Sequence, residues 1–367
     1  MQENKYKVIG LMSGSSLDGV DLVYCEFEGH NDTNSYDFKL IHAENVPFSE
    51  RWSSRLKHLP SQNALTFFRT HTYFGHYLGD IINDFIKKYH LKPDFIASHG
   101  HTIFHDPAYQ FTAQIGDGGA MAARTGHKVI CDFRTLDISI GGEGTPIAPA
   151  ADRYLFAGYD FYMNIGGIAN ITGDANGKYI AFDTGPANQI FNGLANTVGL
   201  DYDKDGQLAR NGQINTNILK KLADFDYFTA DYPKSLGNCW IQNEILPIYL
   251  SEDCSLEDKL RTGVEHLAFQ TAYSIEQVIH TENLDKPTFT LFATGGGVLN
   301  TFLMEEIQKK LDLVGVQIIV PEKDMIDYKE AILMGLMGVL RVEGKVNCFS
   351  SVTGAERDTI GGAVYLG

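Results

Sequence analysis

Basic residues are in short supply in this chain. Lysine and arginine number 30 against 46 aspartate and glutamate, a formal net charge of −16. Such a chain offers little to a nucleic-acid backbone or to an anionic membrane surface, so the charge balance argues against both as partners. Long apolar runs are missing too, and the first residues, MQENKYK, carry no apolar signal segment. We therefore expect a cytoplasmic protein that does not enter a membrane.

Cysteine is also sparse. The five cysteines are scattered, odd in number and never spaced as C-x-x-C, which argues against a disulfide framework and against structural zinc. We expect each of them to be a small buried apolar side chain. They are Cys25, Cys131, Cys239, Cys254 and Cys348.

Several one-segment signatures of catalysis and nucleotide binding are absent. The sequence contains no G-x-x-x-x-G-K-[ST], no G-x-G-x-x-G after a strand, no H-E-x-x-H and no G-x-S-x-G. These absences exclude a P-loop and leave a dinucleotide fold unsupported. Any nucleotide site must be assembled from separate loops.

The 367 residues, 44% of them hydrophobic, exceed one core of ordinary size, so two domains are expected. Periodicity predicts strands alternating with helices, which indicates an α/β fold. The predicted strands cover residues 6–11, 20–27, 36–43, 95–98, 128–133, 161–165, 169–172, 179–182, 288–293 and 316–320. The predicted helices cover residues 65–89, 186–198, 256–280, 299–311 and 328–341.

The segment VIGLMSGSSLDGVDLV, residues 8–23, is the most informative in the chain. It predicts two strands joined by a turn in which Gly14 and Gly19 let a ligand approach the backbone. Hydroxyls and N–H groups in the turn suit an anion. Asp18 and Asp21 add negative charge, which a bridging divalent cation would reconcile with that anion. The alternative is an ordinary hairpin with a polar turn. The hydroxyls belong to Ser13, Ser15 and Ser16.

Similar glycine turns follow other predicted strands, where ligands gather in α/β proteins. Asn164 to Asn170, with Gly166 and Gly167 at its centre, is a candidate second phosphate hairpin. Gly295 to Gly297 lead from a strand into a helix, which suits a phosphorylated or flat ligand. A plain turn remains the alternative for each. Two further turns of this kind are Gly116–Gly119 and Gly141–Gly144.

Asp183 ends a predicted apolar strand, just before Thr184 and Gly185. A carboxylate held there could take a proton from a nucleophile. The alternative is an aspartate that caps the next helix.

Three histidines, His99, His101 and His105, cluster after the strand at 95–98. Asp106–Pro107 favours an extended or turn conformation, so helical metal ligation by residues four apart is disfavoured. Contact with a polar substrate or a structural role both remain open. Arg134 could bind a carboxylate in a bidentate manner or could form a surface ion pair.

Taken together, these segments resemble the anhydro-N-acetylmuramic acid kinase family. The resemblance covers nearly the whole chain in order. It rests on MSGSSLDGVD (12–21), SHGHTIFHDP (98–107), QIGD (114–117), DFR (132–134), GGEGTPIAP (141–149), NIGGIANIT (164–172), FDTGPAN (182–188), PKSLG (233–237), TGGGVLN (294–300) and VTGA (352–355).

The resemblance implies an actin/hexokinase/Hsp70-like ATPase fold, with two α/β domains around a nucleotide cleft. The first domain would comprise residues 1–128 and 346–367, and the second residues 129–345. The family uses ATP and Mg²⁺ to hydrolyse the 1,6-anhydro bond of 1,6-anhydro-N-acetylmuramic acid and to phosphorylate O6 during cell-wall recycling. The expected partner is therefore a small amino sugar, and the family implies a homodimer.

The resemblance also assigns roles to residues. Asp183 would be the catalytic base, and Asp18 and Asp21 would help to organise the metal. The expected ATP contacts are Gly14, Ser15, Ser16, Leu17, Asp18, Gly19, Val20, Asp21, Gly166, Gly167, Asn170, Gly295, Gly296 and Gly297. The expected sugar contacts are His99, His101, Gln114, Asp117, Arg134, Thr184 and Asn188.

The departures from the family pattern concentrate where the sugar is expected. The family's D-F-R-R-R-D is Asp132 to Asp137 here, with only Arg134 kept, and His101 and Asn238 replace a glutamine and an arginine. Glu143 replaces a glutamine, and Ala151–Asp152 replace Phe–His. Fewer cations near a carboxylate-bearing sugar leave open a kinase for another sugar or anhydro sugar. A non-enzymatic ATP-binding switch on the same fold is the remaining alternative.

Overall fold

The computed structural model describes residues 4–14, 17–30, 32–175 and 178–367. It confirms the predicted mixture of strands and helices. The strands are β1 (Lys5–Ser13), β2 (Gly19–His30), β3 (Ser35–Pro47), β4 (Phe95–Asp106), β5 (Phe111–Ile115), β6 (Val129–Cys131), β7 (Phe161–Ile165), β8 (Ile168–Ala175), β9 (Lys178–Pro186), β10 (Phe289–Thr294), β11 (Val316–Ile319) and β12 (Ala363–Tyr365).

The helices of the described residues range from single turns to seven turns. They are α1 (Glu50–His58), α2 (Ala64–Tyr89), α3 (Gly118–Thr125), α4 (Thr135–Ser139), α5 (Pro149–Tyr154), α6 (Asn188–Asn196), α7 (Gln207–Asn211), α8 (Thr216–Ala223), α9 (Asn238–Trp240), α10 (Leu246–Ser251), α11 (Leu256–Thr281), α12 (Thr301–Leu311), α13 (Lys323–Glu343) and α14 (Ser350–Thr353).

The chain divides into two compact units. The first comprises Met1–Ala157 and Tyr328–Gly367, and the second comprises Gly158–Asp327. In the first unit the sheet order is β12-β6-β4-β1-β2-β3, with β5 paired to β4. Strand β2 is antiparallel to both β1 and β3, whereas β4 runs parallel to β1 and β6 runs parallel to β4.

The second unit repeats this arrangement. Its sheet order is β11-β10-β7-β8-β9, with β7, β8 and β9 antiparallel in sequence, β10 parallel to β7 and β11 parallel to β10. Each unit therefore presents three consecutive antiparallel strands followed by two parallel ones on the side of the first strand. This duplicated α/β sheet agrees with the predicted actin/hexokinase/Hsp70-like fold.

Local sequence explains the two long helices. The Asn63 side chain accepts a hydrogen bond from the Thr66 amide at the start of α2, and α2 ends at His90 in the left-handed conformation. Its buried residues include Phe74, Leu78 and Ile82, which pack into the core beneath the first sheet. Ser255 caps α11 in the same way, by accepting from the Asp258 amide.

The predicted domain boundaries differ from the observed units. Residues 129–157 belong to the first unit because β6 is hydrogen-bonded between β4 and β12. Residues 328–345 also belong to it, because α13 packs on β1. A Cβ on Gly10 would lie 2.1 Å from the Ala331 carbonyl oxygen, so only glycine permits that contact.

Two compositional expectations can be compared with the structure. Among the described residues, no helix combines the length and the apolar character needed to cross a membrane. Cys25, Cys131 and Cys348 are buried as predicted, and Cys254 is half-buried. Cys239 is exposed, so the prediction is wrong for that residue, which lies in the short helix α9.

Candidate functional site

The first candidate phosphate turn joins β1 to β2, as predicted. Ser15 and Ser16 lie outside the described residues. Leu17 has a positive φ of 59° and its amide donates to the Gly14 carbonyl at 3.4 Å. The interpretation of Gly19 changes, because a Cβ there would lie 2.5 Å from the Val46 carbonyl oxygen. Gly19 is required by its contact with β3, and the Val20 side chain is buried in the core.

His101 is hydrogen-bonded to Ser13, the last residue of β1 before this turn. A hydrogen bond of 2.9 Å joins its Nδ1 to Ser13 Oγ, and both residues are only 4% exposed. The two residues are register partners on the parallel strands β1 and β4. The imidazole also meets the rings of Phe48 and Phe74 edge-on, and burial lowers its pKa. The structure thus turns Nδ1 of His101 toward the end of β1.

His99 and Arg134 lie near each other and carry unpaired polar atoms. The His99 Nδ1–H donates to the Gly100 carbonyl at 3.1 Å, so Nε2 is an acceptor. Burial, reinforced by the Arg134 charge, lowers the pKa of His99 to about 3. Within the described residues, His99 Nε2 and Arg134 Nε are buried without a hydrogen-bond partner. Unpaired buried groups are costly, so a ligand or a bound water is the expected partner.

Gln114 and Asp117 are already engaged within the first unit. The Gln114 side-chain amide donates to Thr112 Oγ1 at 2.7 Å within β5 and to Thr102 Oγ1 at 3.3 Å on β4. The Asp117 carboxylate caps α3 by accepting from the Ala120 amide at 2.6 Å. Both side chains therefore have a structural role that sequence reasoning did not foresee.

Glu330 is an acidic residue near this group that sequence reasoning missed. More than a third of its surface is exposed, yet protein atoms crowd its carboxyl group. This partial desolvation and the charge of Asp21 raise the pKa of Glu330, while Lys329 and Arg134 oppose the shift. The Asp21 carboxylate accepts a hydrogen bond from the side-chain amide of Asn45 at 2.8 Å. The signal in the sequence was an acidic residue directly before the small and apolar run 331–340 of α13.

No group of three histidine, cysteine or acidic side chains suited to a metal ion occurs in the described part of the chain. Magnesium at nucleotide sites commonly uses only one or two carboxylates, with waters and phosphates completing its shell. Asp21 and the nearby Glu330 are compatible with that donor set.

The second candidate hairpin joins β7 to β8 in the second unit. Its tip is fastened to the start of α6, because the Gly167 carbonyl accepts from the Ala187 and Gln189 amides at 3.0 and 3.1 Å. A Cβ on Gly166 would meet only ordinary contacts of 3.4 and 3.6 Å. Packing therefore does not require glycine at 166. Asn170 pairs with both Asn164 and Asp183 on the neighbouring strands.

The three glycines that follow β10 have different surroundings. A Cβ on Gly295, whose φ is 88°, would lie 2.7 Å from the Ile165 carbonyl oxygen, and one on Gly297 would lie 2.2 Å from the Ile165 side chain. A Cβ on Gly296 would meet nothing within 4 Å. Packing requires glycine at 295 and 297 but not at 296, so only Gly296 faces open space.

That open space is a cavity of about 500 Å³ within the second unit. Its lining includes Gly296, Asn300, Tyr202, Lys204 and Asn188. Lys323, paired with Asp327, lies at the same cavity. Sequence reasoning placed Asn188 at the sugar, whereas the structure places it beside Gly296. It missed Tyr202, Lys204 and Lys323, which follow none of the predicted glycine turns.

Asp183 is held at the edge of the second sheet by three hydrogen bonds. Its Oδ2 accepts from the Leu236 amide at 2.7 Å, its carbonyl accepts from the Tyr227 hydroxyl at 2.8 Å, and its amide donates to the Lys234 carbonyl at 3.1 Å. Burial raises the pKa of the carboxyl group, although the Leu236 amide opposes the shift. Helix α6 is preceded by Ala187, so Asp183 does not cap it.

Thr184, the neighbour of Asp183, has no exposed surface. Its hydroxyl donates to the Ala169 carbonyl at 3.1 Å. Thr184 therefore makes a structural hydrogen bond between β9 and β8 instead of the predicted sugar contact.

The family model for anhydro-N-acetylmuramic acid kinase matches residues 6–367 of this chain. The chain belongs to that family. A kinase of this name from Sulfurovum sp. is 32% identical over 380 residues, covering 99% of this chain and all of the relative. The Pasteurella multocida enzyme of the same name is 33% identical over 381 residues, covering 100% of this chain and 98% of the relative.

Solved structures overlay on this anhydro-N-acetylmuramic acid kinase family member only loosely. An activator of 2-hydroxyisocaproyl-CoA dehydratase from Clostridium difficile, with bound ADPNP, has a TM-score of 0.40 at 12% identity, covering 92% of this chain and 96% of its own. Hexokinase from Schistosoma mansoni, with glucose, has a TM-score of 0.37 at 8% identity, covering 91% and 85%.

Residues that depart from the pattern of the anhydro-N-acetylmuramic acid kinase family are exposed at some positions and buried at others. Thr135 and Leu136 are exposed, so two positive charges are absent from the surface beside Arg134. Asp152 is instead buried, with Lys329 Nζ at 3.9 Å from its Oδ1. Burial raises the pKa of Asp152 to about 6, against the opposing effect of Lys329.

The retained Asp137 has a structural explanation. It is fully buried, and its carboxylate accepts from the Gly144 amide and the Thr353 hydroxyl, each at 2.8 Å. The segments GGEGTPIAP and VTGA are thereby tied together inside the first unit.

Proposed function

We propose that this chain is an ATP-dependent kinase that opens 1,6-anhydro-N-acetylmuramic acid and phosphorylates O6, giving N-acetylmuramic acid 6-phosphate. The observation that carries the proposal is the setting of Asp183. A carboxylate with a raised pKa, fixed by backbone and tyrosine hydrogen bonds, stands at a strand end in a chain that matches the family throughout.

Asp183 acts as a general base on water. Its Oδ2 is occupied by the Leu236 amide, which leaves Oδ1 to accept the proton. The water oxygen bonds to C1 of the sugar as the C1–O6 bond breaks. O6 then bonds to the γ-phosphorus as the bond from that phosphorus to the ADP oxygen breaks, and the water proton remains on Asp183. General-base assistance of this kind contributes about 10²–10⁴-fold to the rate.

ATP is the phosphate donor in this proposal. Gly296, Asn188 and the lysines of the 500 Å³ cavity would hold the nucleoside part. The turns at Gly14–Asp21 and Gly166–Gly167 would lie by the phosphates. Gly296 leaves room there for a ligand to approach the backbone.

Asp18 and Asp21, with Glu330 beside Asp21, would hold Mg²⁺, which neutralises charge on the phosphates when it is bound. We further propose that the protein acts in the cytoplasm, in peptidoglycan recycling, and as a homodimer.

A second candidate is a kinase of the same fold for a different sugar or anhydro sugar. The exposed Thr135 and Leu136 favour it, because they remove cations that could pair with a lactyl carboxylate. A panel of phosphate acceptors distinguishes the two candidates. Turnover confined to sugars without a carboxylate would select the second.

The test is incubation with ATP, Mg²⁺ and the anhydro sugar, followed by measurement of ADP and identification of the 6-phosphate. Asp183→Asn should lower kcat by roughly 10²–10⁴-fold, whereas the exposed control Asp224→Asn should not. The pKa of Asp183 is raised. The kinase activity of the unmodified protein should therefore fall, as the pH is lowered, at a higher pH than it would with a catalytic aspartate of ordinary pKa. Full turnover by Asp183→Asn would refute its role, and no 6-phosphate from the unmodified protein would refute the reaction.

A further inference from the structure

A second cavity of about 420 Å³ lies in the second unit, apart from the one beside Gly296. Its walls carry three aromatic side chains, Phe225, Tyr227 and Trp240. The Trp240 ring centroid is 5.4 Å from that of Phe225, nearly perpendicular to it, and 5.7 Å from that of Tyr227. Asp226 and Ser235 add polar groups to the lining.

Two residues that line this cavity are hydrogen-bonded to Asp183. Tyr227 donates its hydroxyl to the Asp183 carbonyl, and the lining residue Leu236 donates its amide to the Asp183 carboxylate. Tyr227, Leu236 and Asp183 therefore form one hydrogen-bonded group. A molecule seated in the cavity would therefore contact residues that hold Asp183 in place.

Two features leave the lining open to a ligand, although Phe225, Tyr227 and Trp240 also pack against the core of the unit. Gly237 lines the cavity at a negative φ, and a Cβ there would meet nothing within 4 Å. Trp240 is only half-buried, and the chain continues from it into a π-helical turn, Ile241–Ile245. Such turns are rare and occur frequently at functional sites.

We propose that this aromatic cavity binds the ring of the carbohydrate acceptor, with Trp240 as its stacking surface; this inference rests on the proposed function. A pyranose presents C–H groups on its face and hydroxyls around its edge. The C–H groups match the electron-rich face of an indole, and the hydroxyls match Asp226, Ser235 and the backbone at Gly237. The cavity volume lies in the range of small-molecule sites.

The two tryptophans of the chain make the proposal directly testable. Trp52 lies in the first unit against Phe74 and Tyr77, so Trp52→Phe leaves Trp240 as the single tryptophan reporter. In that variant, 1,6-anhydro-N-acetylmuramic acid should change the Trp240 emission in a saturable manner and protect it from iodide quenching. Unchanged emission and quenching at a concentration that saturates turnover would overturn the proposal.

Kinetics provide the second measurement. Trp240→Ala should raise KM for the sugar by roughly tenfold or more while leaving KM for ATP within about twofold, and Trp240→Phe should recover part of the loss. Phe269→Ala, which truncates an aromatic residue that is 53% exposed elsewhere on the second unit, should change neither constant. An unchanged KM for the sugar in Trp240→Ala refutes the cavity while leaving the kinase reaction intact.

Absence of phosphorylation by the unmodified protein instead refutes the proposed function. The fluorescence titration with other anhydro sugars then still decides whether the cavity binds carbohydrate, because it needs no turnover.

Discussion

Alanine substitutions at Gly296 and Gly297 should have opposite effects on stability and nucleotide binding. At Gly297 the new methyl group would lie 2.2 Å from the Ile165 side chain, whose β7 strand is at the centre of the second sheet. Overpacking of this kind costs about 1–3 kcal/mol. At Gly296 the methyl group would meet nothing within 4 Å, and glycine's backbone freedom in the unfolded chain is lost. Gly296→Ala should therefore be neutral or stabilising by about 0.4–1 kcal/mol.

Nucleotide binding, unlike stability, should be impaired by the substitution at Gly296. The methyl group at 296 projects into the 500 Å³ cavity that we assign to the nucleoside, so Gly296→Ala should raise KM for ATP while KM for the sugar stays unchanged. Urea unfolding midpoints and steady-state kinetics on both variants measure the two effects. A Gly296→Ala protein that is destabilised by 1 kcal/mol or more would show that the loop packs differently. One with an unchanged KM for ATP would show that the nucleotide binds elsewhere.

Two further predictions concern buried polar groups of the first unit. His101→Leu should lower the free energy of unfolding by about 1–3 kcal/mol, because it leaves the buried Ser13 hydroxyl unpaired. His101→Gln keeps a polar partner for that hydroxyl and should lower it less. Equal urea midpoints for the two variants would contradict the importance of this bond. Asp152 is 2% exposed, and its pKa rises from 3.8 to about 6 on folding. The folded state therefore binds the proton more tightly than the unfolded state does. The stability of the protein should fall as the pH rises from about 4 to 6. Asp152→Asn should remove on the order of 3 kcal/mol of that pH dependence, and identical stability profiles for the unmodified protein and the variant would refute the assignment.

Local patterns predicted the two longest helices well. The helices expected at 65–89 and 256–280 are α2, Ala64–Tyr89, and α11, Leu256–Thr281, because their apolar spacing and capping residues are strong local signals. Unit boundaries were predicted less well. Val129–Cys131 has the composition of any buried strand, and only its long-range pairing with β4 and β12 assigns it to the first sheet.

The same distinction applies to the candidate site. The end of an apolar strand predicted the position of Asp183, but the hydrogen bonds from Tyr227 and Leu236 come from residues about 50 positions away. The sequence also could not separate glycines needed for packing from glycines facing open space. Gly19 and Gly297 belong to the first class and Gly296 to the second, and the difference lies entirely in their neighbours Val46 and Ile165.

The interleaving of the units along the chain also has a consequence for biosynthesis. The second unit is one continuous segment, Gly158–Asp327, whereas the first needs residues from both sides of it. Ribosomal synthesis therefore delivers every residue of the second unit before β12 can pair with β6 and complete the first sheet. Until then β6 has an open edge, so the nascent chain carries an incomplete first half beside a second half that is ready to fold.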